Sequence, residues 1–517
     1  MLVLYILLIG TGIRSETAFS FRPTSLCQSH PRSQLRRNGA RLPSRLRADA
    51  RVLATGAILA DEASPSELRR LVTLSRHGSR APNDVVKVTC PRNKANLDAY
   101  KVPLTQLTEI GMKQLQAVGE HIRHTYMVDE PQHEEAFLSR SLNGVNHSHF
   151  EAYFRADAAT RCSQSATAVG YGLYPDGTGP NGFPHQPVPI TMQLVENEHA
   201  FAAPKGPCKS TLDADLAVYA ETRAPELFDQ YRDVLDQLGE VCGVAVEDIP
   251  NLPDGEDVVL GVKDLADMFV FDRDEGLPLP EGMTVEAREK LEQLAFTNLM
   301  ERYYSTDREI TYWVGGFGDL LLNTLHDGAV PTAPSPAEYR YFSFHGHREL
   351  LHGLGMMLGW EFHFKGLPTA LNVSSLHPGT TMFFELRARK LTTEEAQKQP
   401  EAKEAYFVRT YMWSPFTERE QIKLTKCSVA DCPLDEFSNI ISNHIASTGT
   451  WETICNYHKP ALGQGQAALA QGPGVEGNHG FARCSFLTVI GLAMMVGLAL
   501  AAFKVYSARR RGYTMVG

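Results

Sequence analysis

Short apolar runs and amphipathic stretches alternate through the middle of the chain. The run Leu71–Leu74 is continuous and short, which is typical of a buried strand. Apolar residues recur at helical spacing over Thr105–Tyr126 and again over Glu286–Tyr304, so both stretches are predicted to form amphipathic helices. The pair Gly315-Gly316 stands before an apolar segment and predicts a tight turn that leads into a core helix.

Another apolar run, residues 485–503, has nineteen residues without a charge. At 1.5 Å per residue it would span roughly 28 Å, close to the hydrocarbon thickness of a bilayer. Lys504 and three arginines follow it, which places residues 504–517 in the cytosol by the positive-inside rule. We therefore predict a type I membrane protein with a single C-terminal transmembrane helix, preceded by a flexible stalk over residues 459–484. A buried core helix is the alternative.

The first residues also resemble a targeting element. Residues 1–20 open with an uncharged apolar run and end in small residues, which predicts a cleaved secretory signal peptide or, alternatively, a retained anchor. Residues 21–65 form a basic segment that could be a pro-segment, a solvated linker or a transit signal, and the sequence leaves this open. In the tail, Tyr513–Val516 has the spacing of a sorting signal that adaptor proteins bind.

The composition is that of an ordinary globular protein, with 43% hydrophobic and 21% charged residues. Both ends are basic, so the body between them is more acidic than the net charge of −10 suggests. Such a body repels a nucleic-acid backbone, and we expect no nucleic-acid partner.

The nine cysteines and two glycosylation sequons fit an oxidising compartment. Asn146 and Asn372 lie in Asn-x-Ser sequons and could carry glycans. Cys427 and Cys432 are near enough in the chain to close a small loop, and Cys208–Cys455 is a second pairing that we suggest. We expect no metal site, because no cysteine pair has the spacing of a zinc motif with histidine partners.

The chemistry concentrates where the strand Leu71–Leu74 ends. Arg76, His77 and Arg80 follow it in a loop with a glycine and a proline. Open α/β sheets place ligand sites at such strand ends, and guanidinium groups bind phosphate oxygens in a bidentate manner. A histidine between two arginines is therefore predicted to be a nucleophile that faces a phosphoryl group.

This motif, Arg-His-Gly-x-Arg-x-Pro, resembles the signature of the histidine acid phosphatases, the histidine phosphatase superfamily, branch 2. Further resemblances follow in the family's order from about residue 68 to 458: Leu107–Gln114, Arg155–Arg161 with Ser165-Ala166, and Cys432–Leu434 with Trp451–Cys455. The last of these and the membrane-bound layout resemble the prostatic and lysosomal acid phosphatases of animals.

The resemblance implies an α/β fold with a central mixed sheet flanked by helices, a phosphoglycerate mutase-like core. It places this ectodomain at residues 66–458, with the core at 66–180 and 311–458. A mostly helical cap would be inserted over residues 181–310.

The resemblance also implies roles for individual residues. His77 would be the nucleophile that forms a phosphohistidine, while Arg76, Arg80 and Arg155 would bind the phosphoryl oxygens. Arg161 would be a structural ion-pair residue.

The chain departs from the family at its second catalytic histidine, where a His-Asp pair is expected. The downstream glycine and leucine spacing favours His347 over His345, and then Arg348 stands in place of the acid. Glu349, one residue further, is our candidate proton donor, because inositol polyphosphate phosphatases of the superfamily resemble this His-x-Glu arrangement. A helix-terminal acid without a catalytic role is the alternative for Glu349.

We therefore expect a metal- and cofactor-independent acid phosphatase that hydrolyses phosphomonoesters in the secretory pathway, at a lysosome-like compartment or at the cell surface. Two alternatives stay open: an inositol polyphosphate or lysophospholipid phosphatase, and a catalytically inactive ectodomain that binds an anionic ligand. The sequence leaves open whether the protein forms a homodimer.

Overall fold

The computed structural model describes most of the chain between Ser66 and His458. The described residues are 66–127, 137–142, 150–201, 206–249, 261–329, 339–359, 376–398 and 404–458. The predicted signal peptide, basic segment, stalk, membrane span and tail lie outside them, as do Asn146 and Asn372. Within the described residues, no helix has both the length and the apolar character needed to cross a bilayer.

One mixed sheet forms the centre of the molecule. Its strands are β1 (Glu67–Arg76), β2 (Ala152–Ala156), β3 (Ile190–Thr191), β4 (Tyr341–Gly346), β5 (Thr381–Lys390), β6 (Glu404–Ser414), β7 (Thr417–Gln421) and β8 (Asp431–Pro433). The strand order is β3-β2-β4-β1-β5-β6-β7, and β8 pairs with β6. The neighbours from β3 to β1 run parallel, whereas β5 joins β1 in the antiparallel direction.

Helices connect and flank these strands. They are α1 (Val86–Thr89), α2 (Lys94–Ala99), α3 (Glu109–Tyr126), α4 (Thr160–Leu173), α5 (Lys209–Thr222), α6 (Ala224–Gln230), α7 (Arg232–Cys242), α8 (Gly261–Asp274), α9 (Val285–Tyr303), α10 (Asp307–Ala329), α11 (Arg348–Leu358), α12 (Thr393–Lys398), α13 (Leu434–Thr448) and α14 (Trp451–Ile454). The predicted α/β class with a mixed sheet flanked by helices is confirmed.

Side chains alternate between the two covered faces of the sheet. Leu71 of β1 packs with α3 and α4 on one face, and Val72 packs with α10, α11 and α13 on the other. Both faces are therefore buried, which explains why the strand reads as an uninterrupted apolar run rather than an alternating one.

A separate apolar cluster lies among the helices inserted between β3 and α10. It is built mainly from α7, α8 and α9, and it also takes in Val86 of α1 and Cys90. Cys90 forms a disulfide with Cys242 of α7. The segment after the His77 loop is thus attached to the inserted helices, although its position in the sequence lies within the predicted core.

Several local predictions can now be compared with the structure. The pairs Cys427–Cys432 and Cys208–Cys455 are both confirmed, and Cys90–Cys242 is a third disulfide that the sequence did not indicate. The prediction of a turn at Gly315-Gly316 is wrong, because both glycines lie inside α10. A Cβ atom at Gly316 would lie 2.7 Å from the His199 carbonyl oxygen, so this glycine allows close packing rather than a turn.

Helices α3 and α4 approach each other at their glycines. A Cβ atom at Gly119 of α3 would lie 2.1 Å from the carbonyl oxygen of Val169, and one at Gly172 of α4 would lie 2.0 Å from that of Gln116. Since backbone atoms cannot yield like a flexible side chain, only glycine fits at this crossing.

We predict that Gly119→Ala destabilises the protein, by about 1–3 kcal/mol, because the added methyl group forces the two helices apart. Helix propensity alone would give the opposite sign, since alanine stabilises a helix interior by roughly 1 kcal/mol relative to glycine. Urea denaturation monitored by circular dichroism measures the change in the free energy of unfolding.

Gly318→Ala in α10 is the matched control. A Cβ atom there would lie 3.4 Å from the nearest heavy atom, the Cγ2 of Ile441, which is an ordinary contact. The control is expected to be as stable as the parent or more stable. Stabilisation by Gly119→Ala would contradict the close crossing of α3 and α4.

Candidate active site

The site lies where three neighbouring parallel strands end. β1, β4 and β2 are adjacent in the sheet, and His77, His347 and Asp157 are the first residues after them. The amide of His77 donates to the carbonyl of Gly346 at 3.0 Å, and the amide of Asp157 donates to that of His345 at 3.0 Å. Backbone hydrogen bonds therefore hold the three strand ends in register.

The imidazole of His77 is fixed in one tautomer. Its Nδ1 lies 2.8 Å from the carbonyl oxygen of Gly78, and because a carbonyl only accepts, Nδ1 must carry the proton. This leaves the lone pair on Nε2. Burial lowers the pKa of His77 well below its usual value, and the positive charges of Arg161 and Arg76 lower it further. The lowered pKa favours the uncharged imidazole, which is the form that the predicted nucleophile requires.

The predicted helix entry Leu107–Gln114 holds the loop that carries His77. Thr108 caps α3 by accepting from the amide of Gly111, and Gln114 Oε1 accepts from the amide of Ser79 at 2.8 Å. A Cβ atom at Gly111 would lie 1.9 Å from the Ser79 carbonyl oxygen. This motif therefore brings α3 directly against the loop, which only a glycine permits.

Arg76 and Arg80 are buried, and their charges lower the pKa of His77. Arg76 donates to the carbonyl of Leu376 and lies 3.9 Å from a carboxylate oxygen of Asp267 in α8. Arg80 lies over the ring of Phe271, 4.7 Å from its centroid. Burial lowers the pKa of both arginines to about 10, because the charged guanidinium loses its contact with water. The positive charges of other arginines nearby lower it further.

Arg155, on β2, is held by a carboxylate that the sequence did not single out. Its Nη2 donates to Glu198 Oε1 at 3.3 Å, and the guanidinium lies 4.9 Å from the ring centroid of Phe201. Glu198 is fully buried and also accepts from the amides of Ala200 and Phe201. In the sequence, Glu198 is simply an acidic residue in the segment Val195–Phe201. Acidic residues are too common for one of them to indicate a function by itself.

His347, not His345, lies beside the nucleophile. The rings of His77 and His347 are 5.5 Å apart between centroids and meet edge to face. The Nε2 of His347 lies 2.7 Å from Oδ2 of Asp157. His345 is buried within the sheet, where its Nε2 lies 2.8 Å from the hydroxyl of Ser343.

Asp157 is a second carboxylate at the site to which the sequence motif assigned no role. Burial alone would raise its pKa, but the hydrogen bond and charge of His347 and the amides of Ala159 and Ala158 outweigh burial and lower it to about 2. Asp157 is therefore ionised and fixes the orientation of the His347 ring.

Arg348 forms an ion pair with a carboxylate of the inserted helices. Its Nη1 and Nη2 lie 2.7 and 3.2 Å from the two carboxylate oxygens of Asp267, which makes a bidentate pair between α11 and α8. Lys263 of α8 is 3.6 Å from the same carboxylate. The cation that replaces the family's acid is thus neutralised by the inserted helices.

Glu349, the predicted proton donor, lies in the first turn of α11 with Oε1 3.7 Å from Nε of Arg348. Burial would raise its pKa, yet the charges of Arg348, Lys263 and His347 dominate and hold the pKa well below the usual range. The carboxyl is consequently ionised before a substrate binds.

Arg161, for which the resemblance implied a structural ion pair, is one of the charged groups that act on His77. It lines a cavity of about 250 Å³ together with Asp157, Glu198 and Thr105. Among the neighbouring charges, that of Arg161 has the largest effect in lowering the pKa of His77. Arg161 therefore contributes to the positive field that an anionic substrate would meet.

One group of side chains at the site has the chemistry of a metal site. The ligand atoms of Asp157, Cys162 and His347 all lie within 4.8 Å of one another. The cysteine thiol lies 3.7 Å from Nε2 of His347.

Comparison with known proteins defines the class. The model of the histidine phosphatase superfamily (branch 2) matches residues 67–237. The chain is 23% identical to human prostatic acid phosphatase over 400 residues, which cover 75% of this chain and 88% of that protein. It is 31% identical to lysosomal acid phosphatase of Xenopus laevis over 150 residues, 28% of this chain and 31% of that protein.

Solved structures agree on the fold. The phytase of Hafnia alvei in complex with tartrate superimposes with a TM-score of 0.52 at 19% identity, covering 73% of this chain and 97% of that one. Residues 67–237 are thus similar to the histidine phosphatase superfamily, branch 2, and the acid phosphatases that the chain resembles support a phosphatase.

We predict that Arg161→Gln moves the acidic limb of the pH profile of kcat/KM to higher pH. His77 must be uncharged to attack, and removing the largest of the charges that lower its pKa raises that pKa, so activity at low pH falls. Steady-state kinetics across pH 3 to 8 measures the shift. Lys113→Gln, which removes an exposed cation on α3, is the control and should leave the limb in place. An unchanged limb in Arg161→Gln would show that Arg161 does not act on His77.

Proposed function

We propose that the protein is a phosphomonoesterase that works through a phosphohistidine on His77. The observation that carries this proposal is the pairing of His77 and His347, 5.5 Å apart at the ends of parallel strands, where Arg76 and Arg80 are close enough to lower the pKa of His77. Arg155 lies on β2, the strand next to the one that His347 follows. A nucleophile with its lone pair on Nε2 and a positive surrounding matches the needs of attack on a phosphoryl group.

In the first step, Nε2 of His77 forms a bond to phosphorus as the bond from phosphorus to the ester oxygen breaks. Arg76, Arg80, Arg155 and His347 stabilise the charge on the non-bridging oxygens. The departing oxygen takes a proton, for which we propose Glu349 as the donor. In the second step, water attacks the phosphohistidine and gives a proton to the same carboxylate, which releases phosphate and restores His77.

Glu349 must gain a proton before it can act. In the structure its pKa is held low chiefly by Arg348 against the effect of burial. A phosphoryl dianion beside the arginines offsets part of that positive charge, so substrate binding raises the pKa of Glu349. An acidic compartment favours the same protonation, which is consistent with an acid phosphatase.

His77→Ala is expected to abolish hydrolysis of an aryl phosphate, with a loss of about 10³-fold or more, because no other side chain replaces the nucleophile. Rapid alkaline quenching with ³²P-labelled substrate should trap a phosphoenzyme in the parent that is stable in alkali and labile in acid, and none in the variant. His345→Asn, which changes the buried strand histidine, is the matched control and should keep the phosphoenzyme. A phosphoenzyme in His77→Ala would overturn the assignment.

Glu349→Gln tests the proton donor through the leaving group. An alkoxide needs a proton as it departs, whereas a nitrophenolate does not. The variant should therefore lose about 10²-fold on an alkyl phosphate and far less on p-nitrophenyl phosphate, within the usual range for general acid catalysis. Equal losses of kcat/KM on both substrates would show that Glu349 is not the general acid.

A second candidate substrate class is an inositol polyphosphate. Arg161 and Lys263 add cations around the site beyond the three arginines of the motif, and a substrate with several phosphates would use them. The phytase of Hafnia alvei has also been solved in complex with myo-inositol hexakis sulphate. Phytate and p-nitrophenyl phosphate compared in one assay distinguish this class from simple monoesters, and a lysophospholipid substrate is tested in the same way.

We further propose that the protein enters the secretory pathway and is held in a membrane by residues 485–503, with the ectodomain on the lumenal or extracellular side. The support is the named prostatic and lysosomal relatives, the three disulfides, and the charge pattern that flanks residues 485–503. An adaptor at Tyr513–Val516, a homodimer and glycans at Asn146 and Asn372 stay predictions.

A further inference from the structure

We propose that Asp157, Cys162 and His347 form a zinc-type metal site that inhibits the enzyme reversibly. Each residue contributes one ligand atom, and all three atoms lie within 4.8 Å of one another. Zinc and similar ions such as Cd²⁺ take carboxylate, thiolate and imidazole ligands together, whereas Mg²⁺ and Ca²⁺ prefer oxygen alone. The mixed set therefore selects a borderline or soft divalent cation.

The distances are near those that a metal requires. With bond lengths of about 2.0–2.3 Å, two ligand atoms of a tetrahedral zinc site lie roughly 3.3–3.7 Å apart. Sγ of Cys162 and Nε2 of His347 are already 3.7 Å apart. Nε2 of His347 and Oδ2 of Asp157 are 2.7 Å apart, so their hydrogen bond has to lengthen by about 0.6 Å to admit the ion.

All three residues are carried by regular elements or their immediate ends. Asp157 follows β2, Cys162 is in the first turn of α4, and His347 is the N-cap of α11. The thiol is buried against the carbonyl of Gly346, at 3.6 Å, so it is held toward the histidine. A preorganised set of this kind lowers the cost of binding an ion.

Charge and access also allow a metal here. Asp157 is already ionised and the Cys162 thiol loses its proton on binding, so the ion with its carboxylate and thiolate forms a site of zero net charge beside Arg161, one unit more positive than the site without the ion. Asp157 lines the cavity of about 250 Å³, which gives the ion a route in and leaves room for a water as fourth ligand.

Inhibition follows from the identity of the third ligand. His347 is placed to bind the phosphoryl group, and a metal on its Nε2 replaces the Asp157 hydrogen bond that orients the ring. The inhibitory effect rests on the proposed function, but the metal site itself does not. The sequence had indicated no metal site, because His347 lies 185 positions from Cys162 and the pair Asp157 and Cys162 does not have the spacing of a zinc motif.

The test uses the full-length protein after dialysis against a chelator. Co²⁺ is titrated in as a spectroscopic substitute, and a thiolate-to-cobalt charge-transfer band in the near ultraviolet should appear at one ion per chain. Zn²⁺ should displace it. The band should be absent in Cys162→Ser and weakened in Asp157→Asn, and it should persist in Cys27→Ser and Cys484→Ser, which change cysteines outside the described residues.

Inhibition is measured on p-nitrophenyl phosphate as the Zn²⁺ concentration that halves each variant's own rate. Cys162→Ser should raise that concentration at least about 10-fold, because loss of an outer-shell partner alone already costs roughly 10–100-fold in metal affinity. His185→Asn is the matched control, because His185 and Asp176 form an exposed pair, also at 2.7 Å, without a thiol beside it. This control should leave the zinc sensitivity unchanged.

Each result decides a different statement. A parent protein without a thiolate band, or a Cys162→Ser variant with undiminished affinity for Co²⁺, overturns the site. A Cys162-dependent band without inhibition by Zn²⁺ overturns the inhibitory role. A normal band in a protein that hydrolyses no phosphomonoester overturns the proposed function while the metal site stands. If Cys162→Ser fails to fold, the test is made on the parent protein instead. Zn²⁺ should then slow the alkylation of Cys162, which peptide mass spectrometry measures. Unchanged alkylation would overturn the site.

Discussion

The buried positive charge around His77 is the constraint on which the rest of the site depends. Arg76, Arg80 and Arg348 all have less than a tenth of their surface exposed, and an isolated buried cation is costly. The protein compensates with carboxylates from other segments, above all Asp267 of α8, which binds Arg348 through two hydrogen bonds. The positive pocket can therefore exist before a phosphate occupies it, and the inserted helices are part of it rather than only a cover.

The same charges explain how one site keeps two groups in different states. Burial and the surrounding cations lower the pKa of His77, which keeps the nucleophile uncharged. Arg348 and Lys263 lower the pKa of Glu349, which keeps that carboxyl ionised until an anion arrives. In the proposed mechanism, His347-Arg348-Glu349 in place of the expected His-Asp pair would couple the protonation of Glu349 to substrate binding, because the dianion offsets the positive charge that lowers its pKa.

Rigidity of the backbone at the strand ends makes this electrostatic arrangement effective. Gly78 and Gly111 allow α3 to meet the His77 loop, and Gln114 accepts from the loop's own amide. The carbonyl of Gly346 accepts from the amide of His77, so the two catalytic loops share a hydrogen bond. Preorganised donors of this kind need little rearrangement when charge develops on a phosphoryl group.

Much of the fold and part of the site could be predicted from the sequence. Apolar spacing marked β1, α3 and α9 within a few residues, and the spacing after the second catalytic segment favoured His347, which lies beside His77, over His345. The prediction at Gly315-Gly316 was wrong, because a glycine pair has the same sequence appearance whether it makes a turn or a close helix contact.

The sequence by itself determined the loop with Arg76, His77 and Arg80, because these residues are contiguous and their chemistry can be read together. Only the tertiary structure decided the partners: Asp157 for His347 across 190 positions, Asp267 for Arg348 across 81, and Glu198 for Arg155 across 43. Strand order and helix packing create these pairs. A pattern of apolar and polar residues specifies which face of an element is buried, but not which distant charge will lie opposite it.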